Sequence, residues 1–507
     1  MSRKLAVRLL TSLALIAALG AWAYAQADKE FVFGRMSDSD DLDPQTATGG
    51  MINHRVTVNV FEPLVWKDDA GEFIPVLAES WQNIDELTWE FALRQGVTFH
   101  NGEPFNAEAV KFSFERITDP DFETTDKFPT QVLLDRVEII DDYTIRIITT
   151  EPVPVLLAHL TRNGGFILAP DHYRDLPQDQ ASTQPVGTGP FQFVSWARDD
   201  RVVLEAFDDY WRGRPQVDRL VFRAIPEAST RVAELRTGGV HATMDVLPDF
   251  IPEIEADPNA RVIAVEGFTR KHLGINQEKH EALQDPRVRR AIQHAIDVDT
   301  LIVALRDGLT ERMATMVNPP NHHPDLQPFE YNPELAMELL AEAGYPDGFT
   351  ITMGAGTEPD TQLALAVAQE LEGVGIEVAE VEVWEWSQYT QVLGQRELPA
   401  LYVLAFGGAE NTPETDMWAI HPDRQTNSTN WFNQEWYDTY AELARTFDEE
   451  LRQELNYRLQ EIMHEENPWV WLWREPLIHG VREDVIWTPR PDDHPYFYEA
   501  DIVGGGE

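Results

Sequence analysis

The chain has 507 residues, a formal charge of −47 and no cysteine. Hydrophobic residues make up 43% and charged residues 25%, which is ordinary globular usage and enough for the cores of about two to four domains. The composition excludes disulfides, thiolate metal sites and cysteine nucleophiles, and the acidic charge argues against nucleic acid or an anionic membrane surface as a partner.

The first 25 residues have the pattern of an export signal. Three basic residues lie among the first eight, an apolar stretch follows, and Ala23-Tyr24-Ala25 supplies the small-x-small cleavage pattern. The alternative is an uncleaved membrane anchor, but roughly 17 residues are short for a span of about 20. We predict cleavage after Ala25, a periplasmic location and, because no cysteine can carry a lipid, no lipid anchor. Removing the three positive charges from −47 leaves the mature chain at −50.

Strands and helices alternate along the chain. Alternating apolar residues predict strands at 30–34, 88–93 and 143–149, and strands return around 469–473. The predicted class is therefore α/β.

Helix starts are marked by capping residues. Asn106 precedes a predicted helix at 107–116, and Asp285-Pro286 and Asn332-Pro333 each place a cap before a proline in the first turn. A long amphipathic helix is predicted at 448–466.

Catalytic and cofactor motifs are missing from the sequence. It contains no G-x-S-x-G elbow, no G-x-x-x-x-G-K-[ST] loop and no H-E-x-x-H pair. Gly373-Val374-Gly375 lacks the third glycine of a dinucleotide site, and His322-His323 in a proline-rich loop favours an exposed pair over metal ligands. We predict no catalytic residue, no metal site and no cofactor.

Three stretches carry a family resemblance in their order and spacing: 77–116, 186–218, and 285–299, the last followed by the predicted helix at 332–346. They resemble the family 5 extracellular solute-binding proteins, a group that includes dipeptide, oligopeptide, nickel, opine and glutathione receptors. The similarity covers nearly the whole mature chain. It implies a two-lobed periplasmic binding protein fold (type II, the large cluster C form) with an inserted subdomain in lobe I, acting as the receptor of an ABC-type importer.

The resemblance also implies how the chain is divided. The predicted parts are a signal peptide at 1–25, lobe I at 26–66, its inserted subdomain at 67–190, lobe I again at 191–269, lobe II at 270–476, and a return to lobe I at 477–507. Hinges are predicted at the two crossings, near 269–273 and 475–479, because such lobes close over their ligand. The motifs Gly187-Thr188-Gly189-Pro190 and Tyr210-Trp211 are interpreted as scaffold.

Two predicted ligand contacts lie in the first half of the resemblance. The loop Thr48, Gly49, Gly50 and Met51 matches a small-residue loop that contacts ligand from lobe I, and its glycines permit close backbone approach. Asn276 matches a position near the cleft. A simple turn and a strand cap are the respective alternatives.

The remaining predicted contacts lie in lobe II. Trp384 and Trp386 are expected on one strand face beside the pocket, with core packing as the alternative. Phe406, Glu410, Asn411 and Trp431 complete the set. Glu410 matches the acid that pairs with a peptide's α-amine in relatives, although Glu replaces the usual Asp and the preceding aromatic is displaced to Phe406. A solvated loop acid is the alternative for Glu410.

The predicted partners are a small ligand, with peptides or amines first, and the membrane permease subunits of an ABC importer. Opines, sugars and nickel complexes remain alternatives for the ligand. A monomer that binds no nucleic acid is expected. Two other classes stay open: a secreted hydrolase with two facing carboxylates, and a structural or chaperone-like envelope protein.

Overall fold

The computed structural model describes residues 29–46, 51–68, 71–122, 133–407 and 411–503. Within them the strands form a ten-stranded sheet, a four-stranded sheet and two two-stranded ladders. The strands are β1 (Glu30–Arg35), β2 (Val65–Lys67), β3 (Phe73–Pro75), β4 (Ala78–Asp85), β5 (Thr88–Leu93), β6 (Leu134–Asp141), β7 (Thr144–Thr149), β8 (Phe191–Ala197), β9 (Arg201–Ala206), β10 (Arg219–Ala224), β11 (Ala242–Thr243), β12 (Ala260–Ile275), β13 (Phe349–Gly356), β14 (Ile376–Trp384), β15 (Leu401–Phe406), β16 (Trp469–Arg482), β17 (Val485–Ile486) and β18 (Asp501–Ile502).

Helices cover the faces of these sheets, so the predicted α/β class is confirmed. The α-helices are α1 (Met51–Thr57), α2 (Ala107–Thr118), α3 (Leu156–His159), α4 (Pro170–Tyr173), α5 (Gln178–Ala181), α6 (Ala228–Thr237), α7 (Ile251–Glu255), α8 (Pro286–Ala295), α9 (Val298–Arg306), α10 (Pro333–Glu342), α11 (Asp360–Glu372), α12 (Trp386–Gly394), α13 (Pro413–Trp418), α14 (Gln434–Leu443) and α15 (Glu449–Glu466).

The predicted helix starts are confirmed by side-chain caps. Asn106, Asp285 and Asn332 accept hydrogen bonds from backbone N–H groups in the first turns of α2, α8 and α10. Asp448 does the same for α15, with an extended backbone at φ −71° and ψ 113°. It is therefore the cap of that helix and not, as predicted, its first residue.

Two long strands run through the middle of the large sheet, whose order is β14-β13-β15-β12-β16-β11-β1-β10-β9-β8. β12 and β16 are antiparallel partners, with 260–266 paired to 476–482 and 270–274 paired to 469–474. Between these ladders, residues 267–269 lie opposite the single residue Glu475. We call this interruption the strand crossing.

The two sides of the strand crossing have separate hydrophobic cores. One contains Phe31 and Phe33 of β1 together with Val481, Trp487 and Phe497 from the end of the chain. The other contains residues of β12, β13, β15 and β16 with α8 and α11. We call 29–266 with 475–503 the first lobe and 270–474 the second lobe.

A small sheet of order β4-β5-β7-β6 belongs to the first lobe. Its inward residues, with those of α2, share the hydrophobic core that contains Phe31. These strands fall inside the segment 67–190, whose bounds as an inserted subdomain stay a prediction.

The lobes also touch at a rim contact away from the strand crossing. Phe447, between α14 and α15, packs against the first-lobe core, and its ring lies 6.3 Å from that of Trp89 on β5. Arg445 donates to Glu151 at 2.8 Å, again from the second lobe to the first. The two lobes therefore meet at the crossing and again at this rim contact.

Candidate ligand site between the lobes

A buried ion pair lies directly beside the strand crossing. Arg270 follows the unpaired segment of β12, and its Nη1 donates to Oδ1 of Asp416 on α13 at 2.9 Å. Both side chains are only 1% exposed. Removing each charge from water costs several kcal/mol, and the mutual attraction of the pair offsets a similar amount. Further polar contacts therefore decide whether such a buried pair is favourable. The backbone N–H of Asn318 supplies one of them to Asp416 Oδ2, at 3.2 Å.

Several polar atoms around this pair are buried and unsatisfied. In the described part of the chain, Arg270 Nε and Nη2, Asn318 Oδ1 and Asn411 Oδ1 have no hydrogen-bond partner. The side-chain nitrogens of the two asparagines are already bound to the protein. Asn318 Nδ2 donates to Phe268 O and Asn411 Nδ2 donates to Pro319 O, both at 3.1 Å. An unpaired buried polar atom costs about 1–3 kcal/mol, so such a cluster is typical of a polar ligand site.

Phe406, at the end of β15, lies between two arginines. The guanidinium of Arg270 is 5.3 Å from its ring centroid and that of Arg424 is 4.8 Å away. Cations over an aromatic face are stabilised by the ring quadrupole, more so where water is excluded. Phe406 therefore contacts both arginines.

A second set of charged side chains forms ion pairs at the strand crossing itself. Lys271 donates to Asp360 at 2.7 Å and lies 3.6 Å from Glu475, which also accepts from Arg306 at 2.7 Å. Burial alone would raise the pKa of Glu475, but the hydrogen bond from Arg306 and the charge of Lys271 hold it below its usual range. These partners anchor Glu475 opposite the unpaired segment of β12.

Sequence reasoning did not single out Arg270, Asn318, Asp416 or Arg424. One signal was available: Arg270, Lys271 and His272 are three consecutive basic residues in a strand of a strongly acidic chain. All three side chains are buried. Basic residues that a folded chain buries are ones that have partners, so such a run marks a site where charges are paired or bound.

Some of the predicted ligand contacts fall outside the described residues: Thr48, Gly49, Gly50 and Glu410. Met51 is the first residue of α1. These five therefore stay predictions.

Asn276 is fully buried at the end of β12 and is bound by protein groups. Its Nδ2 donates to Leu398 O at 2.7 Å, and its Oδ1 accepts from Asn430 Nδ2 at 2.9 Å. The side chain thus ties β12 to the segment before β15 and to the turn at Asn430.

The expectation that Trp384 and Trp386 share one strand face is wrong. β14 ends at Trp384, Glu385 caps the next helix and Trp386 is the first residue of α12. Trp384 packs edge-on to Tyr389, whereas Trp386 is 65% exposed and stacks on the same ring 5.9 Å away. The alternation of side chains in a strand does not continue into a helix. Trp384 and Trp386, although two residues apart, therefore do not lie on a shared face.

The structure brings Phe406 and Trp431 into one region of the second lobe, while Asn411 is hydrogen-bonded to Pro319 O. Trp431 is buried in the core beside α14 and α15, against which Phe406 also packs. Its ring meets Trp436 edge-on at 5.5 Å. Trp384 belongs to a different cluster, around Tyr389.

The family model described as bacterial extracellular solute-binding proteins, family 5 Middle, matches residues 72–428, which is most of the chain. The chain belongs to this family. The predicted family resemblance is therefore confirmed.

Relatives of this family 5 protein match it over nearly their whole length. It is 28% identical to a glutathione-binding protein of Pectobacterium atrosepticum over 493 residues, covering 94% of this chain and 95% of the relative. It is 27% identical to the dipeptide-binding protein of Escherichia coli, covering 90% and 91%.

A solved structure supports the predicted two-lobed fold. A periplasmic binding protein from Helicobacter pylori, associated with an ABC transporter and solved with the peptide STSA, superposes with a TM-score of 0.80 at 28% identity, covering 94% of this chain and 98% of that one. The family 5 chain is thus a solute-binding receptor of an ABC-type importer, as predicted, and its relatives are binding proteins. In the residues that the structure describes, no helix is long and apolar enough to cross a membrane.

The family 5 sequence motifs meet on one buried carboxylate in the first lobe. Glu62 accepts hydrogen bonds from Thr188 Oγ1 at 2.8 Å, Tyr210 OH at 2.7 Å and Trp211 Nε1 at 3.0 Å. Burial raises the pKa of Glu62 to about 7, although these three donors oppose the rise. The threonine of the glycine turn and the Tyr-Trp pair thus have a scaffold role around Glu62.

Proposed function

We propose that this receptor captures a peptide- or amine-like solute between its lobes and passes it, without chemical change, to the permease subunits of an ABC importer. Cleavage of the leader would leave it free in the periplasm as a monomer. The observation that supports the ligand class best is the pair of buried, unpartnered carbonyl oxygens of Asn318 and Asn411 beside the strand crossing. Both accept hydrogen bonds only, so they suit a ligand that brings N–H donors.

The relatives point to the same class of ligand. One is named for dipeptides, another for glutathione, and the H. pylori protein was solved with a bound peptide. Glu410 is the proposed partner of the ligand's amine, because a carboxylate paired with an ammonium makes a charge-assisted hydrogen bond. It directly precedes Asn411 in the chain.

The test is to identify what the purified receptor carries and prefers. Mass spectrometry of small molecules released from gently purified protein should show peptides or amines. A thermal-shift screen of peptides, amines, opines, sugars and nickel chelates should raise the melting temperature most with the first two, because a ligand that binds only the folded state stabilises it. A shift confined to sugars or nickel chelates would contradict the proposal, and turnover of a bound peptide would contradict a purely binding role.

A further inference from the structure

Arg270 is a buried arginine that the protein uses only in part. Its Nη1 donates to Asp416, whereas Nε and Nη2 have no hydrogen-bond partner in the described part of the chain. Arg289, also 1% exposed, shows the usual arrangement, since its Nε and Nη2 donate to Glu466 and its Nη1 donates to two backbone carbonyl oxygens. Buried donors are normally paired, so the Nε–Nη2 edge of Arg270 suits a group that the protein does not supply.

Two asparagines beside Arg270 leave the complementary acceptors unused. Asn318 binds the same carboxylate, because its backbone N–H donates to Asp416 Oδ2 while Arg270 donates to Oδ1. Asn411 is joined to the chain neighbour of Asn318, since its Nδ2 donates to Pro319 O. The Oδ1 atoms of both asparagines are buried and have no partner among the described residues. Unused donors and unused acceptors therefore lie in one hydrogen-bonded cluster.

This cluster lies where the second lobe meets the first. Asn318 Nδ2 donates to the carbonyl oxygen of Phe268, in the segment that interrupts the pairing of β12 and β16. The backbone N–H of Phe268 donates to Pro491 O of the first lobe at 3.1 Å. A molecule bound to Asn318 therefore lies close to a hydrogen bond that joins the two lobes.

The charges in the cluster favour a neutral acceptor on Arg270. Asp416 already balances the charge of Arg270, since both side chains are 1% exposed and the pair is 2.9 Å apart. A ligand carboxylate on the free edge of Arg270 would place a second anion near Asp416 in a space with little water, where like charges repel strongly. A carbonyl oxygen accepts from the same donors without that repulsion. The asparagine oxygens, in turn, accept only from N–H or O–H donors.

We propose that Arg270, Asn318 and Asn411 form a subsite for a neutral amide group of the ligand. The amide oxygen accepts from the Nε–Nη2 edge of Arg270, and the amide N–H donates to an asparagine oxygen. The inference rests on the proposed function and deepens it, because it requires a ligand with at least one peptide bond. A simple amine or a free amino acid has no such group.

The first experiment needs no natural ligand, so it separates this inference from the proposed function. Crystals of the receptor are soaked in N-methylacetamide, which is a single peptide group, and in parallel in methyl acetate and in acetate. The amide should bind with its oxygen on Arg270 and its N–H on Asn318 or Asn411. The ester, which has no N–H, and the acetate anion should not bind there. Ordered water alone in the amide soak, or ester or acetate in the place of the amide, would overturn the inference.

The second experiment measures the same contacts in solution. Calorimetric titration compares an alanine–phenylalanine dipeptide with its ester analogue, in which oxygen replaces the peptide N–H. The wild type should bind the dipeptide about tenfold or more tightly than the ester, because the ester leaves a buried oxygen without its donor. At least one of the variants Asn318→Leu and Asn411→Gly should lose this preference. Glycine is chosen at position 411 because the backbone there has a φ of 45°.

Asn467→Gly is the matched control. Asn467 is also buried and has a φ of 49°, but its Oδ1 already accepts from Gln293, so this variant should keep the preference for the dipeptide. Equal binding of dipeptide and ester by the wild type, or a preference that survives in both Asn318→Leu and Asn411→Gly, would overturn the inference. If the wild type binds neither compound, the peptide class of the proposed function fails, and the crystal soaks still decide whether the subsite takes an amide.

Discussion

Phe447 of the second lobe lies against Trp89 of the first, with ring centroids 6.3 Å apart and ring planes at 38°. This contact joins the lobes through residues outside the connecting strands β12 and β16, and Arg445 and Glu151 add an ion pair between the same lobes. It therefore belongs to the conformation in which the lobes are together and would be absent when they swing apart.

Phe447→Ala should weaken ligand binding by roughly two- to tenfold, because an aromatic pair contributes about 0.5–1.5 kcal/mol beyond its buried area and only the closed state would lose it. The loss should appear as faster ligand dissociation in stopped-flow fluorescence. Phe432→Ala is the control, since Phe432 is 58% exposed and its ring lies near Tyr437 of its own lobe. Identical dissociation rates for the two variants would remove the rim contact from closure.

The raised pKa of Glu62 predicts a pH-dependent stability. Its value is about 7 in the folded protein against 4.5 ordinarily, so the unfolded chain loses this proton first and stability falls as pH rises from 4.5 to 7. Relative to Glu62→Gln, the wild type should lose about 3 kcal/mol of unfolding free energy across this window. Urea denaturation at several pH values measures it, with exposed Glu115→Gln as the background. If the difference in unfolding free energy between the wild type and Glu62→Gln does not change with pH, Glu62 is ionised throughout this range.

His100 predicts the opposite slope. Its Nδ1 accepts from Gly187 N–H at 3.3 Å and its Nε2 lies 2.9 Å from Gly189 O, so the neutral ring serves both contacts. Burial lowers the pKa of His100 to about 4 from 6.5, so stability is lost as pH falls through this range. Relative to His100→Asn, the wild type should lose about 3 kcal/mol between pH 6.5 and 4. His322→Asn, in an exposed loop, should show no such trend; a trend of the same size there would refute the assignment.

Glu410→Gln should weaken a ligand with a free amine by roughly tenfold to a hundredfold, because a charge-assisted hydrogen bond contributes about 1.5–3 kcal/mol. The unfolding midpoint should barely change. Titration of the same peptide with a free and an acetylated N-terminus is the measurement, with exposed Glu338→Gln as the matched control. Unchanged affinity for the free amine would take Glu410 out of the site.

Salt should stabilise the ligand-free protein. A chain with a formal charge of −47 repels itself, and raising NaCl from about 0.1 M to 1 M shortens the screening length from roughly 10 Å to 3 Å. The melting temperature should rise through this range. Chloride is preferred to sulfate, which also strengthens apolar burial. A flat or falling melting temperature would show that the acids are already well solvated, and it would leave the receptor assignment intact.

Local features of the fold were predictable because their causes are local. The caps at Asn106, Asp285 and Asn332 act within one turn, and the alternation of β5 is complete in six residues. The change from strand to helix between Trp384 and Trp386 was not predictable from alternation alone. Glu385 caps α12 with its backbone and makes no side-chain hydrogen bond there, so the usual capping signal is absent.

The site was harder to predict because its contacts are distant in sequence. Arg270 and Asp416 are separated by 146 positions, and nothing near either residue distinguishes this acid from the other 86. The family resemblance led to Phe406 and Asn411, which do lie in this region. Arg270 and Arg424 emerged only from contacts between distant segments of the second lobe.

Arg270 and Arg474 are paired across β12 and β16, so the second lobe begins and ends at neighbouring points of the sheet. That lobe is one uninterrupted stretch of chain, whereas the first-lobe core joins Phe31 and Phe33 to Trp487 and Phe497. The order of assembly is therefore inverted as the chain is synthesised, because all residues of the second lobe are present before the first lobe has its last ones. The first lobe cannot complete its core until the last residues of the chain are available, and until then its apolar strands are exposed to chaperones and proteases.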